Sequence, residues 1–201
     1  MARTGRLVVG VTGASGGIYA IRFLHHAVQH FREIYYICSE QAIQVMQTEL
    51  GMDITRETLS ARALLGYDWD GLKILNPRDY FSPPASGSFR HDGMILIPCS
   101  MGTLGRIAQG ISDDLMTRAA DVCLKERRPL ILVVRETPFN LIHLRNMVQA
   151  AEAGATILPA NPSFYNRPET LEAAVDTVVA RVLQNLGIEQ TLVPEWGIEA
   201  D

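Results

Sequence analysis

The chain has 201 residues, of which 47% are hydrophobic and 20% are charged, a composition typical of one globular domain with a full core. Its formal net charge of −4 predicts no basic surface for nucleic acid or for an anionic membrane. The chain has three cysteines without a C-x-x-C pair and no run of about 18 apolar residues, so we expect a single cytoplasmic domain over 1–201 without a disulfide framework or a membrane span.

The first half of the chain opens with a valine-rich strand over 6–12, a glycine-rich loop and a helix over 17–29. A second strand and helix follow at 33–39 and 40–50. Residues 51–91 are less regular and include "SPPASGS", so we expect an insertion or a lid there.

The second half continues the alternation of strands and helices. Ser112 is the expected N-cap of the first helix in this half. The predicted elements are strand 92–100, helix 112–126, strand 128–137, helix 140–154, strand 155–160, helix 169–187 and a C-terminal tail at about 188–201.

This alternation predicts an α/β fold with a three-layer, doubly wound parallel sheet, flavodoxin-like (Rossmann-like) in type. Five strands suggest the order 2-1-3-4-5. Ligands of such sheets bind beyond the carboxyl ends of the strands, so we expect the loops that follow the strands to form one site.

The loop "TGASGGIY" is similar to the phosphate-binding turn of short-chain dehydrogenases. Those enzymes also need a Tyr-x-x-x-Lys pair, but Trp69 and Asp121 precede the two lysines, Lys73 and Lys125, by four residues. Tyr19 also stands where a third glycine would let the helix pack close to the strand. Hydride transfer from a nicotinamide cofactor is therefore not expected.

A second small-residue turn, "PCSMGTL", follows the third predicted strand. Two such turns on one sheet favour a mononucleotide site. Arg118 and Lys125 lie seven residues apart and share a helix face, which is either a solvated face or a phosphate contact. Asp113 and Asp114 have no second acidic cluster beside them, so we expect no metal site, and a buried structural thiol is the favoured interpretation of Cys99.

Seven segments together resemble one known family over nearly the whole chain, most weakly at 51–78. They are VTGASGGIYAIR, SPPASGS, PCSMGTL, RAADVCLKERRPLILVVRETP, IHLRNM, AGATILPANPSFY and ARVLQNLGI. These segments resemble the UbiX-type flavin prenyltransferases, which belong to a wider group of flavodoxin-like flavoproteins.

The resemblance implies transfer of a dimethylallyl group from dimethylallyl monophosphate to N5 and C6 of reduced FMN. The prenyl-FMN product would pass to a UbiD-type decarboxylase of a ubiquinone or aromatic acid pathway. Members are typically dodecamers with sites at subunit interfaces. Two alternatives remain open: a cysteine decarboxylase of the same fold, for which His143 is the candidate histidine, and a non-catalytic flavin carrier.

The resemblance also implies roles for individual residues. FMN would contact Gly13, Ala14, Ser15, Ser39, Ser100, Met101, Gly102, Thr103 and Arg135. Dimethylallyl phosphate would contact Ser86, Arg118, Lys125, Tyr165 and Arg181, with Tyr80 near the prenyl group where some relatives carry tryptophan. Ser15, Glu49 and Glu136 resemble the family's proton-handling residues.

Overall fold

Residues 5–194 are described by the structure, a computed structural model. Within this range six strands form one parallel sheet. The strands are β1 (Gly5–Val11), β2 (Phe31–Cys38), β3 (Leu72–Leu75), β4 (Met94–Cys99), β5 (Leu130–Val134) and β6 (Thr156–Pro159).

Helices cover both faces of this sheet. A short 3₁₀ turn at Pro83–Ala85 lies in the segment before β4. The helices are α1 (Gly17–Ala27), α2 (Glu40–Leu50), α3 (Ala61–Leu65), α4 (Met101–Ala108), α5 (Leu115–Lys125), α6 (Leu141–Glu152) and α7 (Leu171–Asn185). No helix within 5–194 is both long and apolar enough to cross a bilayer.

The strand order is β3-β2-β1-β4-β5-β6, which confirms the doubly wound α/β fold. The prediction of five strands is wrong at one edge, because β3 lies inside the expected insertion 51–91. This strand has only four residues, and it pairs with β2 from Ile34↔Leu72 onwards. An edge strand this short, with Lys73 inside it, has no clear alternation of apolar and polar residues by which the sequence could reveal it.

The core has two layers, one on each face of the sheet. Leu7 and Val9 of β1 pack into the layer that α1 and α7 cover, and Val8 between them packs into the layer under α4 and α5. Successive side chains of a strand point to opposite faces, so a central strand covered on both faces is apolar throughout. The valine-rich sequence of β1 follows from this position.

The expected N-cap of α5 is wrong. Asp114, rather than Ser112, caps this helix: its carboxylate accepts the Thr117 N–H at 2.7 Å, and Thr117 returns a side-chain contact to complete a capping box. Because the Asp114 carboxylate bonds directly to the first turn of the helix, Asp114 and not Ser112 is the cap. The helix therefore begins at Leu115, three residues later than predicted.

The predicted tail is only partly described. Ile188 and Leu192 pack against the core layer of α1 and α7. Residues 195–201 lie outside the described residues.

Candidate functional site

The loops after β1, β2 and β4 meet at the carboxyl edge of the sheet, as the alternation predicts. They surround a cavity of about 390 Å³. Its lining includes five of the residues expected at the flavin: Gly13, Ser39, Ser100, Gly102 and Thr103. It also includes three that the sequence did not single out: Thr12, Gln41 and Arg106.

The loop after β1 requires two of its glycines. Gly16 has a φ of 107°, in the left-handed region that favours glycine, and it is the N-cap of α1 without a side-chain cap. A Cβ at Gly13 would overlap the Cβ of Gln41, so the backbone passes close to the start of α2. The backbone N–H groups of Gly16 and Gly17 at the start of α1 bond to the carboxylate of Glu49.

Serine hydroxyl groups cap the N-termini of the two other helices at this edge. Ser39 accepts the Ala42 N–H at 3.1 Å, and Ser100 accepts the Thr103 N–H at 3.4 Å. Each serine is therefore the N-cap of its helix, α2 or α4. The Ser100 hydroxyl also donates to the Thr103 hydroxyl at 3.1 Å, whereas the Ser39 hydroxyl proton remains available to a second acceptor. The positive ends of the α2 and α4 helix dipoles meet at this cavity.

Thr12 joins the first loop to the third. Its hydroxyl donates to the Pro98 carbonyl at 2.8 Å and accepts the Ser100 N–H at 2.8 Å. Thr12 is 2% exposed, so both bonds are shielded from water. The Thr12 side chain thereby holds the end of β1 at a defined position relative to the end of β4.

Arg106 is the cation that the sequence analysis missed. It lies in the last turn of α4 and lines the cavity. Its guanidinium donates to Asp113 at 2.7 Å, to Asp114 at 3.0 Å and to Thr103 at 3.2 Å. The spacing of three residues from Thr103 was the available sequence indication, because such residues share a helix face. Asp113 and Asp114 thus have an arginine partner.

Ser15 and Glu49 form a polar contact across the first loop. The Glu49 carboxylate accepts the N–H groups of Gly16 and Gly17, each at 2.9 Å. Burial favours its neutral form, but the hydrogen bonds from Ser15, Gly16 and Gly17, with the charge of Arg135, lower the pKa of Glu49. Glu49 is therefore ionised at neutral pH.

Arg135 and Glu136 follow β5 and are exposed. Arg135 is close enough to act on the charge of Glu49 and on Tyr19, whose hydroxyl donates to the Ala160 carbonyl at 3.2 Å. The Glu136 carboxylate accepts the Thr137 N–H at 3.0 Å. Its described hydrogen bond is thus to its own loop.

Ser86, Arg118 and Lys125 come together beside α5. Arg118 donates to the Ala85 carbonyl at 3.1 Å and pairs with Asp121 at 2.8 Å. Lys125 pairs with Glu126, and a Cβ at Gly87 would lie 2.8 Å from its Nζ. Tyr80 and Ser86 line one recess of about 470 Å³, and the Tyr80 hydroxyl donates to the Ser112 carbonyl at 3.2 Å.

The other two expected phosphate contacts lie elsewhere on the same chain. Arg181 lines a different recess, of about 410 Å³, between β6 and α7, and donates to Gln184 at 2.6 Å. Tyr165 follows β6 and is 79% exposed. One copy of the chain therefore does not place Tyr165 and Arg181 in the recess that Ser86 lines.

Comparison with known proteins agrees with this geometry. The model of the Flavoprotein family matches residues 1–187. Flavin prenyltransferase UbiX from Pseudomonas aeruginosa is 44% identical over 196 residues, which cover 96% of this chain and 94% of that protein. The chain belongs to the UbiX family of flavoproteins.

Two solved structures of UbiX proteins share its fold over nearly their full length. AnUbiX (PadA1), crystallised with FMN and dimethylallyl pyrophosphate, has a TM-score of 0.85 and 38% identity, over 98% of this chain and 100% of that one. The dodecameric FMN-dependent UbiX-like decarboxylase from Escherichia coli O157:H7 has a TM-score of 0.84 and 41% identity, over 95% and 98%.

This UbiX family member exposes an apolar surface on and before α6. Ile142 is 66% exposed and Val148 is 57% exposed, while only Ala150 is buried among the residues of this helix. The exposed apolar residues are Phe139, Leu141, Ile142, Leu144 and Val148. A patch of this kind on a helix that covers a sheet is typical of a protein interface.

The cysteines and His143, which are the remaining candidate groups, have structural roles in the fold. Burial raises the pKa of the Cys38, Cys99 and Cys123 thiols to about 12, which makes them unreactive. His143 was the interior-looking histidine, but it is only partly buried and forms the capping box of α6 with Asn140. No group of three His, Cys, Asp or Glu side chains that could hold a metal exists within 5–194.

Proposed function

We propose that this chain is a flavin prenyltransferase, which joins the dimethylallyl group of dimethylallyl monophosphate to reduced FMN and produces prenyl-FMN. The observation that carries the proposal is a mononucleotide cavity at the carboxyl edge of a chain that is 44% identical to a flavin prenyltransferase along nearly its whole length. Reduced FMN, when bound, supplies N5 and C6 as the atoms that accept the dimethylallyl group.

The cavity residues fit FMN. The N-termini of α2 and α4 and the hydroxyl of Ser39 offer donors to an anionic and heteroaromatic ligand. A Cβ at Gly102 would meet nothing within 4 Å, so space remains beside α4. We propose the following residues as the FMN contacts: Gly13, Ala14, Ser15, Ser39, Ser100, Met101, Gly102, Thr103 and Arg135.

The allyl donor needs positive groups at its phosphate, because negative charge develops there as the carbon–oxygen bond breaks. Ser86, Arg118 and Lys125 supply a hydroxyl and two cations on one face of the chain. We propose that they bind the departing phosphate, with Tyr165 and Arg181 provided by another copy. Tyr80 lies in the recess of Ser86 and would contribute an aromatic wall to the prenyl group.

Proton handling is proposed for Ser15, Glu49 and Glu136. Glu49 is ionised and contacts Ser15, so its carboxylate is able to accept a proton through the Ser15 hydroxyl. Glu136 is exposed in the loop after β5, next to Arg135. We propose that it serves the second ring closure.

We propose that the working form is a homo-oligomer, and specifically a dodecamer. The exposed apolar surface at α6 and the separation of Arg181 from Ser86 within one chain support contacts between copies. A UbiX-like relative at 41% identity is dodecameric. A UbiD-type decarboxylase would receive the product, and the buried free thiols suit the reducing cytoplasm.

The test is an anaerobic incubation of the protein with FMN, dithionite and dimethylallyl monophosphate, followed by mass spectrometry of the extracted flavin. We expect the flavin to gain one C5 unit. A parallel reaction with dimethylallyl pyrophosphate distinguishes the two donors. An unchanged flavin mass with both donors would contradict the proposal and favour a flavin carrier, and release of carbon dioxide from a cysteinyl peptide would favour the cysteine decarboxylase.

A further inference from the structure

A second, strongly cationic cavity lies at the opposite edge of the sheet. It has a volume of about 540 Å³ and is formed where β1 and β2 begin and in the loops that lead into β4 and β5. Its lining includes four arginines: Arg6, Arg32, Arg90 and Arg128. These residues come from four separate segments of the chain and meet only because parallel strands start at the same edge.

We call this cavity the arginine pocket. The positive charge of its arginines exceeds the negative charge of the carboxylates that contact them. Two carboxylates contact its lining: Glu33 pairs with both Arg6 at 2.7 Å and Arg32 at 3.3 Å, and Asp92 accepts the backbone N–H of Arg6 at 2.8 Å. Four arginines against two carboxylates leave two positive charges. Arg90 is exposed and has no partner within 5–194.

Two of the arginines are held in place by neighbouring groups. The Arg128 guanidinium donates to the carbonyls of Phe89 and Gly87, each at 2.6 Å, and neither partner neutralises its charge. The Arg6 guanidinium lies 5.3 Å from the centre of the Phe89 ring. Cations that are already oriented lose little side-chain entropy when an anion binds.

Helix C-termini account for only part of this cluster. The carbonyl ends of helices attract cations, and Arg128 lies just beyond α5. Arg32 and Arg90 have other surroundings, because the described ion pair of Arg32 is with Glu33 and Arg90 has none. Folding therefore leaves Arg90 without a carboxylate partner within 5–194, and Arg32 shares Glu33 with Arg6.

The pocket is also separate from the flavin cavity of the same chain. β1 has seven residues, which at about 3.3 Å per residue places the two edges roughly 23 Å apart. His91 is not a free ligand either, since its Nδ1 is 3.0 Å from the Gly93 carbonyl and its ring is 8% exposed. Arg128 bonds the carbonyl of Gly87, next to Ser86, but none of the four arginines lines the flavin cavity or the recess of Ser86.

We propose that the arginine pocket binds a phosphate dianion, either free phosphate or the phosphate of a small phosphomonoester, at a site distinct from the flavin cavity. Arg90 and Arg32 close on the anion from the solvent side, and Arg128 and Arg6 form its floor. Guanidinium forks match the oxygen geometry of phosphate, and the two excess charges match the charge of the dianion.

The experiment is calorimetric titration of the FMN-loaded, assembled protein with inorganic phosphate at constant ionic strength, repeated with glycerol phosphate. Arg90→Gln and the double variant Arg32→Gln/Arg90→Gln are compared with the wild type. Arg62→Gln, which removes an exposed arginine paired with Asp68 elsewhere on the surface, is the matched control. FMN absorbance per chain and the assembled mass are recorded for every variant.

We expect the wild type and Arg62→Gln to bind one more phosphate per chain than the double variant, with Arg90→Gln weakened by about tenfold. Tighter binding of glycerol phosphate than of phosphate would identify a phosphomonoester, and the reverse order would identify free phosphate. Equal stoichiometry in all four proteins, or an equal loss in Arg62→Gln, would overturn the proposal. A smaller assembled mass of the double variant would instead identify the pocket as a contact between copies.

Discussion

Glu49 shows how a single exposed side chain receives a defined charge from the loop beside it. Its carboxylate accepts two backbone N–H groups of the glycine-rich loop and contacts Ser15. A neutral glutamine at position 49 would keep the shape of the side chain but would lose the carboxylate that accepts these bonds. The same contacts that keep Glu49 ionised therefore also stabilise the loop.

Replacing Glu49 tests this link through pH. Because the folded pKa of Glu49 lies below its unfolded value of about 4.3, its stabilising effect is fully present above that pH and disappears as the pH falls through the folded pKa. We expect Glu49→Gln to lower the free energy of unfolding by on the order of 1 kcal/mol at pH 7, after allowance for solvent screening, and by nothing in strong acid. Denaturant titrations of the FMN-free protein at a series of pH values measure the difference.

Glu152→Gln, which replaces an exposed carboxylate at the end of α6, serves as the control for that series. A constant difference between Glu49→Gln and the wild type at every pH would show that the hydrogen bonds to the loop carry no charge dependence.

The residues at the flavin cavity were partly predictable for the same local reasons. Gly13 and Ser100 follow strands in sequence, and any loop there reaches the carboxyl edge. Thr12, Gln41 and Arg106 were missed, because their positions at the cavity depend on how separate loops meet. No local pattern distinguishes a threonine that joins two loops from one that ends a strand.

At the scale of elements, Arg128 connects α5 and β5 to the segment that carries Ser86. Its two bonds to the carbonyls of Gly87 and Phe89 hold this segment against α5, next to Lys125. The segment has little regular structure apart from its 3₁₀ turn, and Arg118 of α5 supplies a further bond to it through the Ala85 carbonyl. The orientation of Ser86 therefore depends on an arginine that does not itself reach the donor.

Arg128→Gln is expected to loosen this segment while it leaves the flavin cavity unchanged. We expect the KM for dimethylallyl monophosphate to rise by about tenfold and the Kd for FMN to stay within twofold, since hydrogen bonds from a charged donor are strong. Steady-state kinetics and flavin fluorescence titration measure the two quantities. Arg127→Gln, which replaces the exposed arginine one residue earlier, is the control. An unchanged KM for Arg128→Gln would show that the segment keeps its position without the bonds from Arg128.

Element prediction succeeded where the hydrophobic pattern is long. The central strands and α1, α2, α6 and α7 have continuous apolar faces, so their positions followed from the sequence. β3 was missed because four residues at an edge carry too short a pattern. The start of α5 was placed too early, since Ser and Asp are both good N-cap residues, and it is Asp114 that forms the capping box with Thr117.

At the scale of the whole molecule, the apolar surface of α6 is the feature that a single chain leaves unexplained. Its residues alternate with polar ones in the sequence, so the helix was predicted correctly but its exposed face was not. Which face of a helix remains open depends on the packing of every neighbour. The completeness of the donor site depends on the same surface, if copies meet there.

Placing charge on this surface should break the assembly. We expect Ile142→Asp/Val148→Asp to reduce the mass measured by light scattering, and prenyl transfer to fall with it by more than tenfold because Tyr165 and Arg181 would no longer complete the site. Gln44→Asp, on the exposed face of α2, should leave both unchanged. Full-sized assemblies of the double variant would place the contact between copies on another surface.

The two bonds of the buried Thr12 hydroxyl have a practical consequence for protein engineering. The loops after β1 and β4 come from distant parts of the chain, yet the Thr12 hydroxyl holds them as one rigid part. Neither loop is an independent module: a β4 loop grafted into another flavoprotein scaffold would bring its own serine and glycine but would lose its alignment without a threonine at the end of the first strand. Transplantation of this nucleotide site therefore requires both loops and Thr12 to move together.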